Sequence, residues 1–416
     1  MQPTVSEALL DLVDGLAARE LSSSDEGLAE AVRRVSDSYT RDRDVLSQGS
    51  PDTQSLAARL RFFLPRDLPK LWGPLSELQR VGALPDREAL RVLDLGCGLG
   101  TTSLAAALFL DAAPAARALH ITALDRDARA LSLMESLVTS VAEMITTPIE
   151  LQTRRVDLRN AELPRDARGF DVILAGLVLN ELTQDAPTPD EALRRGRALV
   201  DGLTGRLSPD GVIIIIEPAL RPQARLLQQL RDELATTPSQ LHVFAPCTHD
   251  SPCPLLQRKR DWCHERWPAV LPERLARVAA RAGLREQGLT YSYLTLTRST
   301  RSVAELSHGH GPSHEAGHAL RAVSGPLSSK GKVELDVCGP GGLCRLMQLR
   351  RGVIAPGQDL TRLGRGTVLS LSGDSDGAGA TAAQQPRKRL KGGEVRVHQA
   401  WSATASVIDT LPERSR

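Results

Sequence analysis

The hydrophobic and polar positions follow two different periods along the chain. Between residues 4 and 85, apolar side chains recur every three to four residues, as in VSEALLDLVDGLAARE and GLAEAVRRVSDSYTRDRD. This spacing is typical of one face of an amphipathic helix. Pro65 and Pro69 break or kink the last of these segments, because proline has no backbone N–H for the helix. Residues 1–88 are therefore predicted to form an N-terminal helical region.

From residue 90 the pattern changes to short β-rich runs, most of them separated by helical stretches. These runs are LRVLDLGCG, LHITALDRD, IELQTRRVDL, FDVILAGLVL and GVIIIIEPAL. Such alternation indicates βαβ units and a parallel sheet, so residues 89–298 are predicted to form one α/β domain. Near its end, GLTYSYLTLTR is predicted to be a strand at the sheet edge.

The last part of the chain divides into a linker and a small β domain. Residues 299–330 are rich in Ser, Gly and His, which is typical of a linker. The linker contains four histidines, His308, His310, His314 and His318. We interpret this tract as a disordered loop, and metal binding by the histidines is the less favoured alternative. Residues 331–416 are predicted to form a small basic β domain, with a disordered insertion at GDSDGAGATAAQQP and a tail.

Charge is distributed unevenly and points to a polyanionic partner. Residues 319–416 contain 15 Lys and Arg against 8 Asp and Glu, a local charge of +7, whereas the whole chain has +2. Such a basic region attracts nucleic acid, and a solvated surface is the alternative interpretation. The residues predicted to contact RNA are Lys330, Lys332, Arg345, Arg350, Arg351 and the basic run RKRLK at 387–391. No apolar run approaches the roughly 20 residues that span a bilayer, so no membrane partner is expected. The acidic N-terminus does not resemble a signal peptide, which favours a cytoplasmic location with reduced thiols.

A glycine-rich turn follows the first predicted strand and suggests a nucleotide-type ligand. VLDLGCGLGTTSLA contains Asp94, Gly96, Gly98 and Gly100 before a helix. The glycines allow a tight turn and close approach of the ligand, while the helix offers unpaired N–H groups. Thr101 stands where a dinucleotide fingerprint has glycine, and Asp94 suits the cationic end of S-adenosylmethionine (SAM).

Two further acidic residues extend the predicted SAM site. Asp125 ends the second run, where a carboxylate binds ribose hydroxyls, and Asp157 ends the third, beside the expected adenine. Asn180 and Glu181 follow the fourth strand on the expected substrate side, but no motif for amino-group methylation accompanies them. Cys247 follows the fifth strand instead of the fourth, which argues against a nucleophilic role. The sequence identifies no catalytic base.

Three of the six cysteines lie within HVFAPCTHDSPCPLLQRKRDWCHERW, at Cys247, Cys253 and Cys263. Their spacing differs from the paired knuckles of structural zinc sites. A cysteine followed by proline is found among iron–sulfur ligands, which are four thiolates. Buried thiols without a metal are the remaining alternative. The distant Cys338 and Cys344 are both available as a fourth ligand.

An ordered set of motifs resembles the methyltransferase-like protein 17 family, whose members are mitochondrial small-ribosomal-subunit assembly factors with bacterial relatives. The motifs span about residues 55–350 and include FLPRDLPKLWGPLSEL, VLDLGCGLGTTS, LVLNEL, IIIIEPAL, HVFAPCTHDSPCPL, DWCHERW and KGKVELDVCGPGG. The resemblance implies a class I SAM-dependent methyltransferase (Rossmann-like) domain with an inserted cysteine module at 242–267. It also implies a four-iron four-sulfur cluster, with Cys247, Cys253, Cys263 and Cys338 as ligands, and association with the small ribosomal subunit and its 16S-type RNA.

Three functions remain open at this stage. The first is an assembly factor that uses the SAM domain and the cluster as a scaffold. The second is an active rRNA methyltransferase with the same parts. The third is a methyltransferase of another substrate with a structural zinc. The basic C-terminal third disfavours the last of these. The family resemblance together with the N-terminal sequence favours a bacterial cytoplasmic member. For the fourth ligand, we predict Cys338 at the end of KVELDVC, while Cys344 lies among apolar residues typical of a buried thiol.

Overall fold

The structure is a computed structural model that describes residues 4–40, 52–113, 118–159, 168–237, 240–267, 270–284, 288–307, 319–350, 359–370 and 395–398. The four histidines of the predicted linker, the insertion GDSDGAGATAAQQP and the basic run 387–391 lie outside these residues.

The N-terminal region is helical, as predicted. Its helices are α1 (Glu7–Leu21), α2 (Leu28–Thr40), α3 (Thr53–Ala58), α4 (Leu64–Asp67) and α5 (Pro69–Val81). The side chain of Ser6 caps α1 by accepting a hydrogen bond from Leu9 N, and Asp52 caps α3 in the same way. A π-helical turn, Arg59–Phe63, precedes Pro65, and Pro69 begins α5, where a missing N–H costs little.

Strands and helices then alternate, also as predicted. They are β1 (Ala89–Leu95), α6 (Thr101–Asp111), β2 (Ala118–Asp125), α7 (Ala128–Ala142), β3 (Ile149–Arg155), β4 (Phe170–Gly176), α8 (Val178–Leu182), α9 (Pro189–Thr204), β5 (Leu207–Pro218) and α10 (Arg221–Thr236). The next elements are β6 (His242–Ala245), β7 (Glu265–Trp267), α11 (Glu273–Arg281) and β8 (Leu289–Thr297).

These strands form a sheet with the order β3-β2-β1-β4-β5-β8-β6, and β7 pairs with β8 off this path. The pairs β1–β2, β2–β3, β1–β4 and β4–β5 are parallel, whereas β6 and β8 are antiparallel. This is the class I methyltransferase fold. The order reverses between β1 and β4, and ligands of such sheets bind at that point, beyond the carboxyl ends of the strands. The sequence predicted β8 at the edge of the sheet, but β6 pairs with its far side and is the last strand in this order.

The C-terminal residues form a second, antiparallel sheet. Its strands are β9 (Ala319–Ala322), β10 (Leu327–Ser329), β11 (Lys332–Gly339), β12 (Gly342–Leu349), β13 (Val368–Ser370) and β14 (Val395–His398). The order is β13-β9-β11-β12-β14, and β10 pairs with β11. Strands β9 and β10 lie inside the range 299–330, which the sequence predicted to be a linker. Their composition does not indicate strands, but pairing with β11 orders them.

The chain divides into two compact units. Unit one comprises Met1–Leu226 and Trp267–Tyr293, and unit two comprises Leu227–Arg266 and Leu294–Arg416. The cysteine-rich segment therefore belongs with the C-terminal sheet, whereas the sequence suggested a module inserted in the methyltransferase domain. Each unit has an apolar core: in unit one, Leu10, Val32 and Phe62 pack with Leu275 of α11. In unit two, the core includes Val333, Leu335, Val337, Leu346 and Leu369.

No helix in the described residues has the length and apolar composition needed to cross a membrane.

Candidate functional site

The glycine-rich turn after β1 requires its glycines for two different reasons. Gly96, Gly98 and Gly100 all have positive φ, of 58°, 53° and 80°, which L-residues with side chains rarely adopt. A Cβ at Gly96 would lie 2.9 Å from Val178 Cγ2, and one at Gly100 would lie 2.8 Å from Met134 Cγ. At Gly98 a Cβ would meet no described atom within 4 Å. The first and third glycines are thus needed for packing, while the second borders open space that a ligand can enter.

Asp125, the residue predicted to bind the ribose, lies against this turn. Its Oδ2 accepts a hydrogen bond from Gly98 N at 2.8 Å, and its Oδ1 accepts one from Asp127 N at 2.8 Å. Asp157 follows β3, and the backbone just before it is joined to β2 by a hydrogen bond from Val156 N to the Asp125 carbonyl. The two acidic residues predicted to border the ribose and adenine are therefore brought to neighbouring strand ends.

Asp94 differs from these because its carboxylate is fully buried. Thr102 Oγ1 donates to both of its oxygens at 2.8 Å, and Ser103 donates to Oδ2 from its backbone N at 3.0 Å and its Oγ at 2.6 Å. Burial raises the pKa of Asp94 to about 6, although these hydrogen bonds oppose the rise. In the structure Asp94 supports the start of α6, and its direct contact with a ligand stays a prediction.

The end of β4 has a strained backbone at the expected substrate side. Leu177 has a φ of +65°, an uncommon value for a residue with a branched side chain, and its N–H donates to the Ile216 carbonyl at 2.7 Å. One turn later, Asn180 N donates to Oε2 of the buried Glu217 at 3.1 Å. These bonds fix the path of the chain into α8, where Asn180 and Glu181 lie.

Charged groups from the N-terminal helices also reach this region. Burial raises the pKa of Glu181, while the guanidinium groups of Arg59 and Arg126 lower it. The Arg59 guanidinium carbon lies 5.6 Å from the centre of the Tyr39 ring. Burial raises the pKa of Tyr39, and the Glu181 and Asp125 carboxylates add to that rise. The sequence did not identify Arg59 or Tyr39, because the helical pattern in which they lie is ordinary.

The four predicted cluster ligands all lie in unit two and are close enough to act on one another. We call Cys247, Cys253, Cys263 and Cys338 the cysteine centre. Burial raises the pKa of Cys247 to about 11 and also raises those of Cys263 and Cys338. The other three thiols add to the shift of Cys263, and Cys247 and Cys253 add to that of Cys338. The thiols of Cys247, Cys263 and Cys338 therefore stay protonated at neutral pH unless a metal displaces the protons.

The cysteine centre is not a preformed site for one ion. Within the part of the chain that the structure describes, no three His, Cys, Asp or Glu side chains are placed to hold a single metal ion. In a four-iron cluster each thiolate binds a different iron, so the sulfur atoms need not converge on one point. The donor set is four neighbouring thiols, of which Cys253 is buried and the other three are half-buried, and it fits such a cluster chemically.

The strand register separates the two candidates for the fourth ligand. Across the β11–β12 hairpin, Val337 pairs with Cys344 and Cys338 pairs with Leu343. Paired residues lie on the same face of a sheet, and successive residues lie on opposite faces. Val337 is in the core of unit two, and Cys344 packs against that core. Cys338 is on the other face, the one that carries the cysteine centre.

Two side chains that the sequence did not indicate contact the cysteine centre. Gln228 Nε2 donates to Cys253 Sγ at 3.0 Å, and His249 Nε2 lies 3.3 Å from Cys338 Sγ. The buried His249 Nδ1 has no hydrogen-bond partner in the described residues. No signal in the sequence indicated Gln228, because a glutamine within an amphipathic helix is unremarkable.

Several basic residues predicted to bind RNA are ion-paired. Lys332 Nζ lies 2.9 Å from Glu334 Oε2, and Arg345 Nε lies 2.6 Å from Asp336 Oδ1. These exposed pairs lower the positive charge that the sheet presents. Arg350 instead donates to the hydroxyl of Ser328 at 2.9 Å. Arg351 lies outside the described residues.

A family model described as mitochondrial small ribosomal subunit Rsm22 matches residues 75–353, about two thirds of the chain. The chain belongs to the Rsm22 family. The matched range contains the glycine-rich turn and all four residues of the cysteine centre, and membership confirms the family resemblance inferred from the motifs. No curated protein matches this Rsm22-family chain.

Solved structures resemble the chain at low identity. The plantazolicin methyltransferase BpumL, in complex with SAH, is 12% identical, with a TM-score of 0.34; the match covers 70% of this chain and 98% of BpumL. A Listeria monocytogenes protein provisionally described as a class I S-adenosylmethionine-dependent methyltransferase is also 12% identical, with a TM-score of 0.37 and coverage of 74% and 91%. The fold of this Rsm22-family chain is assigned from its strand order and glycine-rich turn.

Proposed function

We propose that this Rsm22-family chain is an assembly factor of the small ribosomal subunit, in which unit one binds SAM and unit two holds a four-iron four-sulfur cluster and contacts ribosomal RNA. The observation that carries the proposal is the gathering of Cys247, Cys253, Cys263 and Cys338 within one unit of a chain of this family. Methyl transfer to ribosomal RNA is an additional activity that the intact glycine-rich turn permits. The proposed location is the bacterial cytoplasm, where thiols are kept reduced and available to iron.

SAM binding is supported by the geometry of the turn. Gly98 borders open space, its N–H donates to the Asp125 carboxylate, and α6 begins three residues later. A carboxylate at the end of the second strand suits ribose hydroxyls, and helix N–H groups suit the carboxylate of the amino-acid end. When bound, SAM would supply an electrophilic methyl group; Asp125 and the turn would orient it.

The cluster is supported by the donor set, and Cys247, Cys253, Cys263 and Cys338 would hold it. Bound iron and sulfide would join segments that are far apart in sequence, so that cluster loading stabilises unit two. A hydrogen bond of 3.0 Å from Thr248 Oγ1 to the Ala319 carbonyl already joins the segment that contains Cys247 to β9.

RNA binding is supported by the positive charge of residues 319–416 and by the association of the Rsm22 family with the small ribosomal subunit. The described part of this region contributes less than its composition suggests, because Lys332 and Arg345 are ion-paired. We therefore expect the basic run 387–391 to contribute a large share of the binding.

Three measurements on anaerobically purified protein test the proposal. Iron and acid-labile sulfide are expected in cluster stoichiometry; stoichiometric zinc without sulfide would instead favour the alternative of a methyltransferase with a structural zinc. Isothermal titration is expected to show SAM binding. Affinity for small-subunit RNA is expected to fall steeply with salt and to drop on truncation at residue 372.

A labelling experiment separates an active enzyme from a scaffold. Small-subunit particles incubated with the protein and methyl-labelled SAM would gain label in RNA only if transfer occurs. SAM binding without transfer to particles at any stage of assembly would support a scaffold. RNA affinity that does not respond to salt would argue against the proposed RNA contact.

A further inference from the structure

Helix α10 places three polar residues on one face toward the cysteine centre. Gln228, Arg231 and Asp232 have the spacing i, i+3 and i+4, so their side chains lie together. All three belong to unit two. Gln228 and Arg231 are 7% and 2% exposed, although long polar side chains are seldom buried without a specific partner. We call these three residues the supporting layer.

Gln228 joins two cysteines that are ten residues apart. Its Nε2 donates to Cys253 Sγ at 3.0 Å, and its Oε1 accepts a hydrogen bond from Cys263 N at 3.2 Å. A single buried amide thus fixes the sulfur of one predicted ligand and the backbone of another. A hydrogen bond donated to a ligand sulfur also stabilises negative charge on that sulfur.

Asp232 fixes the backbone of Cys253 from the other side. Cys253 N lies 3.0 Å and 2.9 Å from the two carboxylate oxygens of Asp232. Asp232 Oδ1 also accepts a hydrogen bond from Arg231 Nη1 at 2.9 Å. The supporting layer is therefore continuous from Arg231 to the cysteine.

Arg231 is wrapped by the loop that carries Cys247 and Cys253. Its guanidinium donates to the Ser251 carbonyl at 2.6 Å and to the His249 carbonyl. Burial is the largest effect and opposes its charge, but Cys247, Asp232 and Cys253 together outweigh burial and raise the pKa of Arg231. A buried cation is costly unless anions surround it, and a thiolate-ligated cluster is an anion.

We propose that the supporting layer holds the loop from Cys247 to Cys253 ready for the cluster and sets the cluster's reduction potential through one hydrogen bond and two opposed charges. This inference rests on the proposed iron–sulfur function. Hydrogen bonds to the sulfurs and nearby positive charge favour the reduced, more negative state of a cluster, whereas nearby negative charge disfavours it. Gln228 and Arg231 therefore raise the potential, and Asp232 lowers it.

The test is the midpoint potential of the cluster in the full-length protein, measured by an anaerobic redox titration followed by electron paramagnetic resonance. Gln228→Leu and Arg231→Met are expected to shift the potential to more negative values, and Asp232→Asn to a more positive value. Arg231→Lys keeps the charge and loses the fork of hydrogen bonds, so it should retain the wild-type potential while releasing iron faster to a chelator. Gln229→Leu, on the neighbouring position of α10, is the matched control and should leave both readouts unchanged.

The outcomes separate the two proposals. Wild-type protein that lacks acid-labile sulfide would overturn the iron–sulfur function itself. A wild-type cluster whose potential is the same in Gln228→Leu, Arg231→Met and Asp232→Asn would overturn only the inference. Shifts of one sign in all three variants would also overturn it, since a purely structural role gives no dependence on the sign of the charge. If Arg231→Met fails to fold, Asp232→Asn and Arg231→Lys still decide the result.

Discussion

Cys344 lies directly opposite Val337 in the register of β11 and β12, so it shares the core-facing side of the sheet. Cys338, the residue that follows Val337 in β11, lies on the other side of the sheet. Burial and Asp336 raise the pKa of Cys344 to about 11. Burial also raises the pKa of Cys338, and Cys247 and Cys253 add more to that rise than Cys344 does. Two cysteines six residues apart thus have different environments, and only one faces the cysteine centre.

This difference predicts opposite results for two similar substitutions. Cys338→Ser should lose most of the bound iron and sulfide, because one of four ligands is removed. Cys344→Ser should keep them and cost about 1–2 kcal/mol of stability from placing a hydroxyl at the edge of the core. Iron and sulfide analysis, with the visible absorption of the cluster, measures both. Retention in Cys338→Ser and loss in Cys344→Ser would reverse our assignment.

The open space at Gly98 gives a prediction for SAM binding. Gly98→Ala meets no described atom within 4 Å, yet it imposes a φ of +53° on alanine. We expect a loss of about 1 kcal/mol in stability and at least a tenfold weaker affinity for SAM, measured by isothermal titration. Gly202→Ala, within α9, also meets no described atom nearby and should leave SAM affinity unchanged. Equal affinities of the two variants would contradict a ligand at Gly98.

Asp94 predicts a specific dependence of stability on pH. Its folded-state pKa of about 6 lies above the value of 3.8 for an ordinary aspartate, so the folded state holds the proton more tightly. The resulting stabilisation is complete below about pH 4 and is lost as the pH rises through about 6, amounting to ~3 kcal/mol.

Urea unfolding of wild type and Asp94→Asn between pH 4 and 7 measures this contribution. The difference between their free energies of unfolding should change with pH over that window, because asparagine does not titrate. Gly202→Ala within α9 changes no titratable group, so it is the control and should give a nearly constant difference. A constant difference for Asp94→Asn as well would rule out the raised pKa.

Arg321 and Glu265 form a buried ion pair in unit two, with 3.0 Å between Nε and Oε1. Arg321 pairs with Cys338 in the β9–β11 register, and Glu265 lies two residues after Cys263. Arg321→Met leaves the Glu265 carboxylate buried without its cation, so we expect a loss of about 3–5 kcal/mol and faster release of iron. Adding Glu265→Leu should recover part of the stability, as measured by urea unfolding. No recovery in the double variant would mean that the pair is not the cause.

The sequence by itself determined the class of fold and the SAM-type turn. Strand and helix periods, the glycines at 96, 98 and 100, and an acid at the end of the second strand are local patterns, and local backbone chemistry produces them directly. The motifs also identified the family. They showed that Cys247, Cys253 and Cys263 lie in one segment.

Only the tertiary structure decided which residues surround the cysteine centre. The face on which Cys338 lies depends on the pairing of β11 with β12, and a shift of one residue in that register would exchange it with its neighbour. Likewise, nothing in the α10 pattern distinguishes Gln228 and Arg231 from surface residues; their burial depends on the loop from Cys247 to Cys253 folding over them. The same is true of β9 and β10, whose short runs become strands only because β11 offers them a partner. Contacts between distant segments are not encoded in local periodicity. For that reason the sequence indicated the candidate ligands, and the structure showed which residues surround them.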